Sequence, residues 1–299
     1  MSNLLLFLEA PALLVQVLVD GVLIGAVFAL AAYGMALVWG VMNVINVVQG
    51  ELVILGGYLS LTLVGAGVPA FATVPLAAAA LFVVGWVLYA AAVFRVVDGD
   101  MFVSLLATFG LSILIAQLIN QVWGADVRSI DVGLGSWLAF DGIVAIGKVR
   151  VAALVAALSV GVGLALFLGR SRLGRAIRAT AQNARAARAL GIDTARVYAA
   201  TYALNASICG AAGALVAMIW VIHPFAGLVF TVRAFSIVIV AGLGNFAAVI
   251  AAALGLGAAE NFVGFVLGAQ FQSAFVFSLL VVLLVWRSRR LARRRLVLK

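Results

Sequence analysis

The chain has 299 residues, of which 67% are hydrophobic and 10% charged, with a formal net charge of +9 and a mean hydropathy of +1.28. A soluble domain carries roughly a quarter charged residues and about half apolar ones, so this composition excludes an ordinary water-soluble fold and fits lipid as the solvent. With one cysteine, Cys209, and one histidine, His223, it also excludes an internal disulfide and a His/Cys metal cluster.

The start, Met1 to Gln16, has no positively charged region, so it does not read as a cleaved signal peptide; the first span itself would direct insertion. A crossing helix needs ~20 mostly apolar residues at about 1.5 Å rise each. By that measure spans are predicted at 12–40, 47–68, 70–94, 101–123, 151–169, 197–222, 228–246, 247–268 and 271–286. Several touch or merge, which gives eight or nine. Nothing shows the ~10-residue alternation of a β-barrel. The predicted fold class is all-α: a polytopic transmembrane helix bundle forming one domain over 1–299. The break at Asn43-Val-Ile-Asn46 is either a cytoplasmic turn or a discontinuity within the membrane.

Charge placement predicts orientation. Seven arginines fall between Arg170 and Arg196, and six more plus Lys299 lie in the tail 287–299. The positive-inside rule makes both stretches cytoplasmic, together with the short Arg95–Asp100 connection. The loop at about 125–150, with Asp126, Asp131, Asp141, Arg128, Lys148 and Arg150, is then external, as is the N-terminus. The net charge is therefore a matter of topology and anionic lipid rather than of nucleic acid, which needs basic side chains on a soluble face.

Catalytic constellations are weak. Gly142-Ile-Val-Ala-Ile-Gly147-Lys148 matches most of a phosphate-binding loop, but Val149 stands where magnesium binding needs Ser or Thr. The single His223 supports no Ser/His/Asp triad. No enzyme activity, metal or cofactor is expected. What stands out is polar residues in apolar runs: Asp20, Glu51 and Glu260, the cluster Asn43, Asn46, Gln49 and Glu51, and the pair Glu260-Asn261 beyond Gly242-Leu-Gly244-Asn245. An acid at the bilayer centre costs about 2.5–3.5 kcal/mol on insertion scales, so such residues face a bundle interior or a watery path. Broken, Gly-containing helices beside polar groups build transporter pathways, and Asn43, Asn46, Gln49, Glu51, Asn245, Glu260 and Asn261 are the pathway candidates. Hydrogen bonding between helices is the competing reading. Gly21-x-x-x-Gly25 and Gly264-x-x-x-Gly268 predict close helix approach, within the chain or between subunits.

The segment from about 170 to 196 is the most informative. Its Ala and Arg content predicts a short surface helix that Gly191 stops, with Asp193 or Thr194 capping the next helix. A surface helix turning straight into the membrane suits docking of a cytoplasmic partner.

Arg185-Ala186-Ala187-x-x-x-Gly191 resembles the coupling motif of ABC importer permeases, with Arg185 where the family has Glu. The whole chain, from about 15 to 285, resembles the LivH-type branched-chain amino acid permeases. The resemblance is carried by Gly40-Val-Met-Asn43-Val-Ile-Asn46-Val-Val-Gln49-Gly50-Glu51, with Gln49 where histidine is usual. It is carried further by Ala107-Thr-Phe-Gly110-Leu-Ser112, Gly174-Arg-Ala-Ile-Arg178-Ala and Gly242-Leu-Gly244-Asn245. It implies a transport subunit working with a second, LivM-like permease, two cytoplasmic ATPase subunits and an extracytoplasmic solute-binding protein, in a bacterial inner membrane. It further implies that Arg175, Arg178, Arg185, Ala186, Ala187, Arg188, Gly191 and Ile192 meet the ATPase. Relatives of this kind serve branched-chain amino acids, urea, short amides or aromatic acids. The alternatives from the residues alone are an ion-gradient transporter or channel using Asp20, Glu51 or Glu260, and a membrane scaffold.

Overall fold

A computed structural model describes residues 11–97, 99–139, 144–242 and 244–297. The start up to residue 10, Asp141, Gly142, Leu243 and Lys299 lie outside the described residues. The chain runs through α1 (Pro11–Met42), α2 (Gln49–Gly65), α3 (Thr73–Ala91), α4 (Met101–Trp123), a hairpin of β1 (Ser136–Ala139) and β2 (Val144–Gly147), α5 (Lys148–Arg170), α6 (Arg172–Gln182), α7 (Ala184–Ala189), α8 (Thr194–Ile219), α9 (Gly227–Ala241), α10 (Phe246–Leu267) and α11 (Phe271–Val297). Among the described residues six helices are long and apolar enough to cross a bilayer, and Gln49–Gly65, Gly227–Ala241 and Phe271–Trp286 are shorter apolar helices. The protein is an all-α polytopic membrane protein.

Local chemistry sets the boundaries. Asp100, Ser171, Asn183, Asp193 and Asn245 each accept a backbone N–H at the start of α4, α6, α7, α8 and α10, which satisfies donors that the helix cannot. Gly242 ends α9 at φ 79°, a conformation that only glycine adopts without steric penalty.

The helices define two faces. The hairpin and the segment 124–135 before it lie on one, and α6 and α7 on the other; we call them the hairpin face and the arginine face. On the hairpin face the first helix is tied to the hairpin: the Gln16 side chain brackets the Ala145 backbone, donating to its carbonyl at 3.1 Å and accepting its N–H at 2.7 Å. Beside it Asp20 pairs with Arg150, so this acid fixes the first third of α1 to the start of α5. Arg128 exchanges backbone hydrogen bonds with Ile222, binding the segment 124–135 to the segment after α8. Gly142 and Ile143 lie outside the described residues; Val144 to Gly147 of the loop-like motif form strand β2 and Lys148 begins α5, over the Trp137 ring at 5.8 Å.

The two halves of the chain repeat one plan. In each, a long helix (α1, α8) breaks, a short helix follows (α2, α9), and two more complete the unit. The most extensive helix contacts are α1 against α10 and α3 against α8, so the first helix of each half packs on the third of the other. A Cβ at Gly21 would meet Ala258 Cα at 2.6 Å and one at Gly25 would meet Leu254 Cα at 2.8 Å, so α1 and α10 run antiparallel with backbones nearly touching. The Gly21/Gly25 pattern therefore packs within the chain. Gly264 and Gly268 do not form a second crossing: Gly264 lies against Gln272, and Gly268 caps the end of α10.

At the α1–α10 crossing a Cβ on Gly257 would stand 2.5 Å from Gly25 N, whereas Gly255 on the same helix faces open space. Gly257→Val is expected to destabilise the bundle by about 1–3 kcal/mol, the usual range for overpacking. Gly255→Ala should be neutral. Thermal unfolding of the two variants in detergent checks the pair.

Candidate functional site

The break after α1 lies inside the bundle. Asn46 meets Tyr202, whose hydroxyl donates to Asn46 Oδ1 at 3.3 Å, and Gln49 Nε2 donates to Cys209 Sγ at 3.0 Å. At about 1.5 Å per residue, Tyr202 and Cys209 stand roughly 12 and 22 Å along α8 from its first residue. Of the two readings of the break, the structure supports a discontinuity at membrane depth, with Val44, Asn46, Val47, Val48 and Gln49 buried.

Non-helical backbone at this depth must be satisfied by protein. Thr231 of α9 accepts the Gly50 N–H at 2.8 Å and donates to the Val47 carbonyl at 3.0 Å. The Thr108 hydroxyl of α4 lies 3.0 Å from the Ile45 carbonyl and 3.4 Å from Val47 N. Gln49 Nε2 also donates to the Ala31 carbonyl at 2.6 Å. Three helices thus hold the break open.

The same point is where α9 begins. Its first residue, Gly227, lies so close that a Cβ on it would collide with the Glu51 carboxyl, and a Cβ on Gly50 would collide with the Gly227 carbonyl. At 17 and 15 residues, α2 and α9 are about 25 and 22 Å long, each short of the ~30 Å core. They start together and run to opposite faces: Tyr58 of α2 reaches the Asp126 carbonyl of the hairpin face, and Phe235 of α9 stacks on Trp39 near the arginine face. Two short helices therefore present their N-terminal ends to each other, and the Glu51 carboxyl sits at the junction, where Ser112 Oγ donates to it at 3.2 Å. The positive ends of two helix dipoles converge here.

Polar capacity is left over at the junction. Among the described residues Glu51 Oε2, Gln49 Oε1, Asn46 Nδ2 and Asn205 Nδ2 are buried without a hydrogen-bond partner. Such groups are ordinarily matched by water or by a polar solute. Sequence reasoning found Asn46, Gln49 and Glu51, which the fold brings together. It missed Asn205, Thr231 and Arg233, which lie alone in apolar runs. Thr108 and Ser112 were within a quoted motif without a role, and the structure brings that motif onto the break.

The other pathway candidates fall elsewhere. Asn43 is an exposed left-handed residue, φ 53°, closing α1, and Asn245 caps α10. Glu260 is buried and bound by both Nε and Nη2 of Arg233, and Asn261 Nδ2 donates to the Val17 carbonyl at 2.7 Å. These two face a separate cleft nearer the hairpin face.

On the arginine face the single surface helix expected from the sequence is two, α6 and α7, because Asn183 interrupts it and caps the second. The amphipathic α6 buries Gly174, Ile177 and Thr180 against α1, α5 and α8. Arg175 and Arg178 turn back on the end of α5, donating to the carbonyls of Arg170 at 2.9 Å and Gly169 at 3.3 Å; they cap a helix C-terminus as cations favour. Gly191, φ 83°, closes α7, with the Ile192 N–H bonded to the Ala187 carbonyl at 3.0 Å. Arg185, Ala186, Arg188 and Gly191 are exposed, Ile192 is half-buried and Ala187 is turned inward. Leu190, which the sequence reading passed over, is 82% exposed at the tip of this turn.

The family model described as branched-chain amino acid transport system / permease component matches residues 17–285. The chain is 29% identical, over 91% of its length and 93% of the relative's, to the high-affinity branched-chain amino acid transport system permease protein BraD of Pseudomonas aeruginosa. It is 28% identical, over 90% and 92%, to the permease protein LivH of the same description from Salmonella typhimurium. It is 24% identical, over 87% and 84%, to a probable branched-chain amino acid transport permease protein LivH of Methanocaldococcus jannaschii. No solved structure matches.

Removing the Thr231 hydroxyl strands Gly50 N–H and the Val47 carbonyl. Thr231→Val is expected to destabilise by about 1–3 kcal/mol per stranded group, and Thr231→Ser to keep most of the stability. Unfolding midpoints in detergent measure the difference.

Proposed function

The chain belongs to the branched-chain amino acid transport permease family, and we propose that it is the membrane-spanning subunit of an ATP-driven importer whose solute is a branched-chain amino acid. It is a transport subunit of a multi-pass inner membrane assembly, working with ATPase subunits and a solute-binding protein; ATP is hydrolysed on the ATPases. A second, LivM-like permease completes the membrane part. The arginine face is cytoplasmic, which puts the C-terminus inside and the hairpin face toward the binding protein. The arginine content of 170–196 supports this orientation.

The observation that carries the coupling role is the α7 tip. A leucine 82% exposed, beside exposed Arg185, Ala186, Arg188 and Gly191, is a surface built for a protein partner rather than for water. Small side chains permit close approach, and Arg185 and Arg188 can meet carboxylates on the ATPase. Arg175 and Arg178 contribute by fixing α6 to α5. Alternating access then follows from motion of α6, α7 and the start of α8, with α8 carrying Tyr202, Asn205 and Cys209 at the α2–α9 junction. Asn46, Gln49 and Glu51 line the passage there.

Reconstitution of the chain with a second permease, the ATPases and the binding protein in liposomes tests the proposal. ATP-dependent uptake of leucine, isoleucine or valine supports it; uptake that ignores ATP and collapses with an ion gradient contradicts it. In the same system Leu190→Asp should lower ATP-driven uptake roughly tenfold, a loss of 1.4 kcal/mol of coupling, while membrane insertion and unfolding stay unchanged because the side chain is exposed.

A further inference from the structure

The Arg233–Glu260 pair joins α9 to α10 away from the junction. Both groups are nearly buried, with side chains 13% and 6% exposed, and both sit in helices of membrane length or depth, where an ionisable residue needs a reason. They line a cleft of about 450 Å³ that opens between α1, α9, α10 and the segment after α8, with Arg150 of α5 and Gln272 of α11 at its edge. Its walls divide in two. Glu260, Asn261, Gln272, Arg233 and Arg150, the last paired with Asp20, supply polar groups, while Ile24, Phe28, Trp220 and Phe230 supply an apolar wall. Phe28 and Trp220 stack at 6.0 Å, and the Arg233 guanidinium lies over Phe28 at 4.9 Å, so the charged and apolar walls meet at one ring.

We propose that this cleft is a low-affinity binding site for a zwitterionic amino acid with an aliphatic side chain. The carboxylate of the solute would face Arg233, its ammonium would face Glu260, and its side chain would lie on the apolar wall. The argument is one of charge balance. The pair is neutral as a unit, and Arg150 is matched by Asp20, so a solute of net zero charge with opposed ends adds two favourable contacts and leaves no excess charge in a poorly solvated place. An acid or an amine alone leaves one. A strut between helices needs neither the cleft nor the apolar wall beside it, and the volume falls in the range of small-molecule sites, ~300–1000 Å³. The position, toward the hairpin face from the junction, makes it a waiting station for solute released by a binding protein. The proposal rests on the amino acid import reading and adds a residue-level site to it.

The test uses the assembled complex in nanodiscs without its binding protein, with radiolabelled leucine as the probe in equilibrium binding. Leucine should bind saturably, and 4-methylpentanoate and 3-methylbutylamine, each lacking one charge, should compete roughly tenfold or more weakly. Arg233→Met paired with Glu260→Met removes both charges together and spares the fold an orphaned ion; it should abolish the binding. The exchange Arg233→Glu with Glu260→Arg keeps a strut but reverses the site, and should weaken leucine binding by a similar factor. Leucine binding that survives both double variants, or equal competition by the two singly charged analogues, overturns the proposal. So does the absence of saturable binding in an assembly whose ATP-driven uptake is intact. Loss of uptake of every amino acid in the unmodified assembly would instead sink the import reading itself.

Discussion

A peptide group that leaves its helix inside a membrane must find another partner, and everything at the centre of this protein follows from how residues 43–50 meet that demand. Thr231 bridges Gly50 and Val47, Thr108 attends Ile45 and Val47, and Tyr202 and Cys209 hold the side chains of Asn46 and Gln49. The donors come from α4, α8 and α9, so the break exists only when those helices are assembled around it. In return it lets α2 begin at mid-depth, opposite the start of α9. The absence of side chains at Gly50 and Gly227 permits the two starts to touch, and Glu51 takes the place at the junction that helix dipoles favour for a carboxyl group.

The rest of the bundle is tied to that junction differently on its two faces. Toward the hairpin face α1 is pinned by Gln16 and Asp20, and the segment 124–135 is pinned to Ile222 through Arg128. Toward the arginine face, α6 lies on α1, α5 and α8 through a narrow stripe of Gly174, Ile177 and Thr180. The helix α8 belongs to both regions. In the proposed function it is the lever: its first turn is capped by Asp193 next to the docking tip, and its middle supplies three residues to the junction.

The sequence made the membrane class and most helix positions legible because both depend on local quantities, apolar run length and charge clustering. Asn46, Gln49 and Glu51 were visible for the same reason, as polar residues close together in apolar surroundings. Their partners were not. Thr231, Thr108 and Asn205 are single polar residues 50 or more positions away, and nothing in a linear pattern says that α4, α8 and α9 converge there. Arg233 was hidden by the apolar run around it, although it decides the environment of Glu260. Asn43 and Asn245 were grouped with the pathway by composition, yet they serve as a helix end and a cap. Arg175 and Arg178 were matched to the coupling motif, and geometry adds the work of capping α5. The repeated plan of the two halves escaped notice because it lies in element lengths and packing partners rather than in similar residues.

The proposed function stands or falls with the side of the membrane that the α7 tip occupies. A cysteine placed at Arg185, in a chain whose own Cys209 is buried, can be challenged with a membrane-impermeant maleimide in intact cells and in inverted vesicles. Labelling confined to inverted vesicles is the predicted result. Labelling from outside intact cells would put the tip beyond the reach of any cytoplasmic ATPase and contradict the account.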